Sequence, residues 1–167
     1  MKMAYDAQSW QNFYIMVGGA AAALTGLLFV AMSIHAKAII AHPLLSNRAV
    51  GTLISLLTQL ALAGAVLAPG QSPLVLGVEV EIAALFFLVF TGRSVVRLRE
   101  HVRATRSRLR MTLEKTGGSI WILLFLASGL SLMVKVGGGF YLLAIVMLFM
   151  FGWNVYISWS LIADVAE

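Results

Sequence analysis

The 167-residue sequence predicts an all-α protein, a polytopic transmembrane helical bundle of about five spans. Three observations carry that expectation. Five long apolar stretches cover most of the chain, at residues 13–34, 50–68, 74–92, 118–134 and 140–162. Each approaches the roughly 20 apolar residues a helix needs to cross a bilayer core. Hydrophobic residues make up 60% of the chain and charged residues 11%, whereas soluble domains carry about 25% charge to cover their surface. The apolar runs are also continuous, without period-two alternation. In lipid the backbone must satisfy its own polar groups, which leaves helices or closed barrels, and continuous runs select helices.

The first stretch lacks a strongly basic leader and is too long for a signal-peptide core, so it reads as a retained helix. Gly18, Ala22 and Gly26 recur there every four residues, with Gly19 and Ala23 beside them. Small residues at this spacing let helices approach closely, within the chain or between copies. His42 and Pro43 interrupt the following loop, and Ser46 or Asn47 can cap the second helix. In the second stretch Arg48, Thr52, Ser55 and Gln59 fall at i, i+4, i+7 and i+11. This polar line runs from one membrane surface to about mid-depth. Such groups avoid lipid. They form either a hydrogen-bond seam between helices or the lining of a pore or cavity.

Residues 68–73 (APGQSP) make a tight turn into the third stretch, which holds Glu79 and Glu81. Two residues apart on a helix means about 200° apart, so the two acids cannot share one site. A carboxyl at this depth stays near the interface, pairs with a partner or carries a proton, and an intramembrane acid points to ion handling. Residues 93–115 contain neither Gly nor Pro. Val95, Leu98, Val102, Leu109 and Leu113 follow helical spacing, while Arg99, Arg103, Arg106 and Arg110 fall on another face. The segment predicts a basic amphipathic cytoplasmic helix between spans three and four. Contact with anionic lipid would there add about 1 kcal/mol per arginine. Aromatics are not interleaved with the arginines, which argues against nucleic acid as a partner. Lys135 and the glycines at 137–139 break the chain between the last two spans. Asn154 and Ser158, one turn apart in the fifth, suggest a hydrogen-bond pair.

Ten of the twelve lysines and arginines lie in two connections, 35–49 and 93–115. With five spans both connections fall on one side, leaving Lys2 and Lys135 on the other. The positive-inside rule then places the N-terminus outside and the C-terminus in the cytoplasm. Aromatic residues frame the ends: Trp10, Phe13 and Tyr14 outside on the first span, Trp153, Tyr156 and Trp159 inside on the last. With no internal repeats or low-complexity tracts, residues 1–167 read as a single transmembrane domain.

Several function classes lose their anchors. There is no cysteine, so disulfides and thiolate metal sites are excluded. His35, His42 and His101 all lie outside mid-membrane positions, so no opposed pair could hold haem. No histidine or lysine stands beside an intramembrane serine as a catalytic base, and the glycine pairs lie inside helices rather than in phosphate loops. The sequence therefore predicts no catalytic residues, no metal and no cofactor.

The run from Gly18 to Ile34, GGAAAALTGLLFVAMSI, combines with Ser46-Asn47-Arg48-Ala49, Ala68-Pro69-Gly70-Gln71 and Leu76-Gly77-Val78-Glu79. Together they resemble the first half of small bacterial and archaeal polytopic membrane proteins, some labelled modulators of the FtsH membrane protease. The Trp153-Asn154-Val155 region is similar in style. The resemblance implies a helical membrane protein, marks Arg48, Gln71 and Glu79 as motif positions and implies no activity. Two expectations follow. One is a non-catalytic component that assembles or regulates a complex in the inner membrane. The other is a small homo-oligomeric ion channel lined by the polar face of the second span. The expected partners are the bilayer with its anionic lipids, a second copy of the chain, and another membrane protein.

Overall fold

The computed structural model describes residues 2–105 and 108–166, with side chains over 4–93 and 121–163. Helix accounts for 91% of the chain, and no strand occurs among the described residues. Two short 3-10 turns, Lys2–Tyr5 and Ala7–Trp10, lead into α1 (Gln11–Ile34). Asp6 caps the second turn, accepting from the Gln8 amide and the Ser9 hydroxyl. The Ser9 bond holds its carboxyl below the usual carboxylate range. The remaining helices are α2 (Ala36–Ala41), α3 (Pro43–Leu67), α4 (Pro73–Thr105), α5 (Arg108–Val134) and α6 (Gly139–Ala166).

Among the described residues, four segments are long and apolar enough to cross a membrane: Ala7–Ile34, Pro43–Leu67, Pro73–Arg93 and Gly139–Ala163. The chain is accordingly membrane-embedded. A further apolar helical segment, Trp121–Val134, is shorter and covers most of the expected fourth span. The side chains of the expected basic helix, including Arg99, Arg103 and Arg110, lie outside the described residues, as does Arg106 altogether.

Two boundaries differ from expectation for identifiable reasons. α3 starts at Pro43, ahead of Ser46 and Asn47, and His42 occupies the cap position without a side-chain cap bond. Proline's fixed φ and missing N–H suit the first helical position, so this proline starts the helix where a break was expected. The loop before it also contains α2, whose Ile39 packs with Ala49 and Leu161. Six residues are too few to show a helical period.

The break at 135–139 is real. α5 ends at Val134, and Lys135, Gly137, Gly138 and Gly139 all take positive φ. Three glycines permit that path, and Lys135 at φ 57 bears the strain of the left-handed region. The Ser131 hydroxyl donates to the Val136 carbonyl and accepts from the Gly139 amide at 2.8 Å.

The chain divides into two compact units. One comprises Met1–Tyr5 with Ser72–Val146, and in it α4 pairs with α5. Its core includes Leu76, Val80, Ala84, Phe125, Leu132 and Phe140. The first residues also cover the α5–α6 turn, where the Gly138 amide donates to the Tyr5 hydroxyl at 2.9 Å. The other unit comprises Asp6–Gln71 with Met147–Glu167, and in it α1 pairs with α3. Tyr14, Val17, Ala21, Leu56, Leu62 and Val66 are buried there, as are Met147 and Met150 of α6.

Candidate functional site

The polar line on α3 faces inward. Thr52, Ser55 and Gln59 are buried among Ala49, Leu56 and Ala63, while Val50, Leu57 and Leu60 on the other faces are exposed. This is the arrangement helical periodicity demands once the polar side avoids lipid. The second half of α6 supplies partners. Asn154 Nδ2 donates to Ser55 Oγ at 2.8 Å in a fully buried bond. Nearer the ends of both helices, the guanidinium of half-buried Arg48 donates to Ser160 Oγ. Residues rising along α3 thus meet residues falling along α6, so the two helices run antiparallel.

Each hydroxyl also has a local use. Thr52 Oγ1 donates to the Arg48 carbonyl at 2.9 Å, and Ser160 donates to Ile157. Such back-bonding lets Ser and Thr sit in a helix within lipid without an unmet donor. Ser158 donates to the backbone carbonyl of Asn154 at 2.7 Å. The expected Asn154–Ser158 pair therefore joins one side chain to one backbone group, and the Asn154 amide is left for α3. Gln59 closes the column and differs from the rest. It is 0% exposed, and neither Oε1 nor Nε2 has a hydrogen-bond partner.

α1 packs closely against α3 beside this seam. A Cβ on Gly18 would sit 3.0 Å from Ala63 Cβ, so Gly18 performs the expected small-residue packing within the chain. Ala22 and Gly26 do not join it. Both are exposed, and Gly26 has nothing within 4 Å of a Cβ position. The four-residue spacing drifts around α1, and the buried line instead runs through Tyr14, Val17, Ala21 and Leu28.

Glu79 and Glu81 belong to the other unit. Glu81 lies against Gly129 of α5, and Glu79 is half-buried two residues earlier, on a different side of α4. Ser160, Ser131 and Gly129 were not singled out by sequence reasoning, and Gly77 entered only as part of a motif run. Their roles depend on which helix lies opposite, and nothing local to each residue signals that. No group of three His, Cys, Asp or Glu able to hold a metal occurs among the described residues. A shallow apolar cleft is lined by Leu28, Met32, Ile39, Leu161 and Ile162, with His35 as its titratable group. The His35 ring bonds its own helix, at the Ala31 carbonyl. Compared with protein-family models, with curated proteins and with solved structures, the chain finds no match.

Proposed function

We propose that this chain is a non-catalytic integral membrane protein of the bacterial inner membrane that assembles or regulates a larger membrane complex. One observation carries the proposal: the polar face of α3 is closed within a single chain, by Asn154 on Ser55 and by Ser160 on Arg48. A pore lining must present its polar groups to water, whereas Thr52, Ser55 and Gln59 are buried, and Ser55 and Arg48 are matched to α6. The seam reads as internal glue, leaving the outer faces of the helices for partners. Ala22 and Gly26, open on α1, suit a second copy or a partner helix.

The proposal includes five crossings, with the N-terminus outside and the C-terminus cytoplasmic. Contacts between α4 and α5 support the fifth. Gly77 meets Met133, Glu81 meets Gly129 and Phe87 stacks on Trp121. α5 therefore runs antiparallel beside α4 from Phe87 back to Gly77. The connection at 93–115 then carries the basic surface, with Arg99, Arg103, Arg106 and Arg110 available to anionic headgroups.

The test is the mass of the particle purified in native nanodiscs, with co-purifying proteins and lipids identified. A complex with another membrane protein is the expected result. A discrete homo-oligomer without partners, whose ion conductance changes on Gln59→Leu, would overturn the proposal and establish a channel.

A further inference from the structure

The α4–α5 pair holds an acid that the polar seam does not use. Glu81 lies eight residues past Pro73, about 12 Å along the axis at roughly 1.5 Å per residue. It falls inside Pro73–Arg93, which is long and apolar enough to cross a membrane. Its side chain rests on Gly129. A Cβ there would sit 2.5 Å from Glu81 Oε1 and 3.0 Å from Cδ. One turn earlier on α4, a Cβ on Gly77 would sit 2.8 Å from the Gly129 carbonyl oxygen and 3.0 Å from the Met133 nitrogen. The two glycines bring the backbones together and leave a notch that the carboxyl fills. Oε1 is sealed there without a hydrogen-bond partner. The Leu130 backbone N–H donates to the carboxyl, while Oε1 is left without a partner.

The chemistry of a helix flank discriminates between the two forms of this acid. Amides within an α-helix are committed to their own ladder, while each carbonyl keeps a second lone pair. A flank therefore offers acceptors and few donors. A carboxylate can only accept, whereas a neutral acid has an O–H to donate. Neighbouring charge does not reverse this. The described side chains of α5, 121–134, include no titratable group. On α4 itself Glu79 is turned about 200° away, and Arg93 is about 18 Å further along. Lys135 follows the end of α5, and the remaining titratable side chains described in this unit are the phenols Tyr5 and Tyr141.

We propose that Glu81 is a proton-binding site within the membrane: it holds its proton in the Gly77–Gly129 notch at neutral pH, and proton loss drives the side chain out and loosens the α4–α5 pair. The ligand is the proton rather than a metal ion, because a cation needs several oxygen ligands. Among the described residues, the notch around Glu81 offers backbone and no second carboxylate.

Infrared spectroscopy of the full chain in lipid nanodiscs tests this directly. At pH 7 solvated carboxyls are ionised, so the carbonyl band of a neutral carboxylic acid isolates a protonated one. The band is expected in the unsubstituted protein and in Glu79→Gln. It should be lost in Glu81→Gln and should fade as the pH is raised. Absence of the band from the unsubstituted protein, its survival in Glu81→Gln, or its loss in Glu79→Gln would each overturn the proposal. Should Glu81→Gln fail to fold, the other two samples still decide. The remaining acids, Asp6, Glu100, Glu114, Asp164 and Glu167, lie outside the apolar stretches, so a band kept in Glu79→Gln belongs to Glu81.

Discussion

Gln59 and Asn154 sit in the same buried column and meet opposite fates. Asn154 spends its amide on Ser55, while both ends of the Gln59 amide are unmatched at 0% exposure. A buried polar group without a partner costs about 1–3 kcal/mol, and removing it together with its polarity can be neutral or stabilising. Gln59→Leu, of similar volume, should therefore leave stability unchanged or raise it by about 1–2 kcal/mol in denaturant titration of the detergent-solubilised chain. Asn154→Leu should lower it by about 1–3 kcal/mol, since it strands Ser55. A loss on Gln59→Leu as large as that on Asn154→Leu would show that Gln59 is paired. The line Arg48, Thr52, Ser55, Gln59 was legible in the sequence because one helix sets its own period. The pairing of Arg48 with Ser160 was not, because 112 residues separate them and only the packing of α6 brings them together.

Between elements, glycines decide how closely helices pack, and their neighbours separate the tight sites from the open ones. Gly77 is caged by backbone, with the Gly129 carbonyl and the Met133 nitrogen within 3.0 Å of its Cβ position. Gly129 is caged by the Glu81 side chain, which can move. Gly77→Ala should therefore destabilise by about 1–3 kcal/mol with no single-site rescue, the usual cost of forcing atoms into a packed interior. Gly129→Ala should cost less, and shortening the acid in a Gly129→Ala, Glu81→Ala double variant should recover much of it. Equal effects of the two single variants, with no coupling to Glu81, would remove Glu81 from the notch. The sequence shows many small residues but cannot rank them. Gly18 is packed on Ala63, while Gly19 and Gly26, beside it in the same motif, have nothing within 4 Å. Helix ends were legible where glycine or proline forces them, as at 68–73 and 135–139. The start of α3 was misplaced because the same proline that ends one helix can begin the next.

For the whole molecule the decisive helix is α5, because it alone sets which side the C-terminus occupies. It runs from Arg108 to Val134, and its described apolar part is Trp121–Val134. Three structural relations support a crossing. α5 runs antiparallel to α4 from Trp121 opposite Phe87 to Met133 opposite Gly77. The α5–α6 turn meets the N-terminal residues, through Tyr5 and Gly138. The end of α6 meets the start of α3, through Ser160 and Arg48. If α1, α3 and α4 each cross, the N-terminus and the 135–139 turn share a side only when α5 crosses as well. The chain has no cysteine, so single introduced cysteines can be read against no background. Val136→Cys, at an exposed position of that turn, should react with an impermeant maleimide on intact cells. Ala41→Cys, in the connection between the first two expected spans, should react only after permeabilisation, as the positive-inside rule requires. If both sites react from the same side, α5 does not cross, and the five-span topology falls together with the cytoplasmic C-terminus.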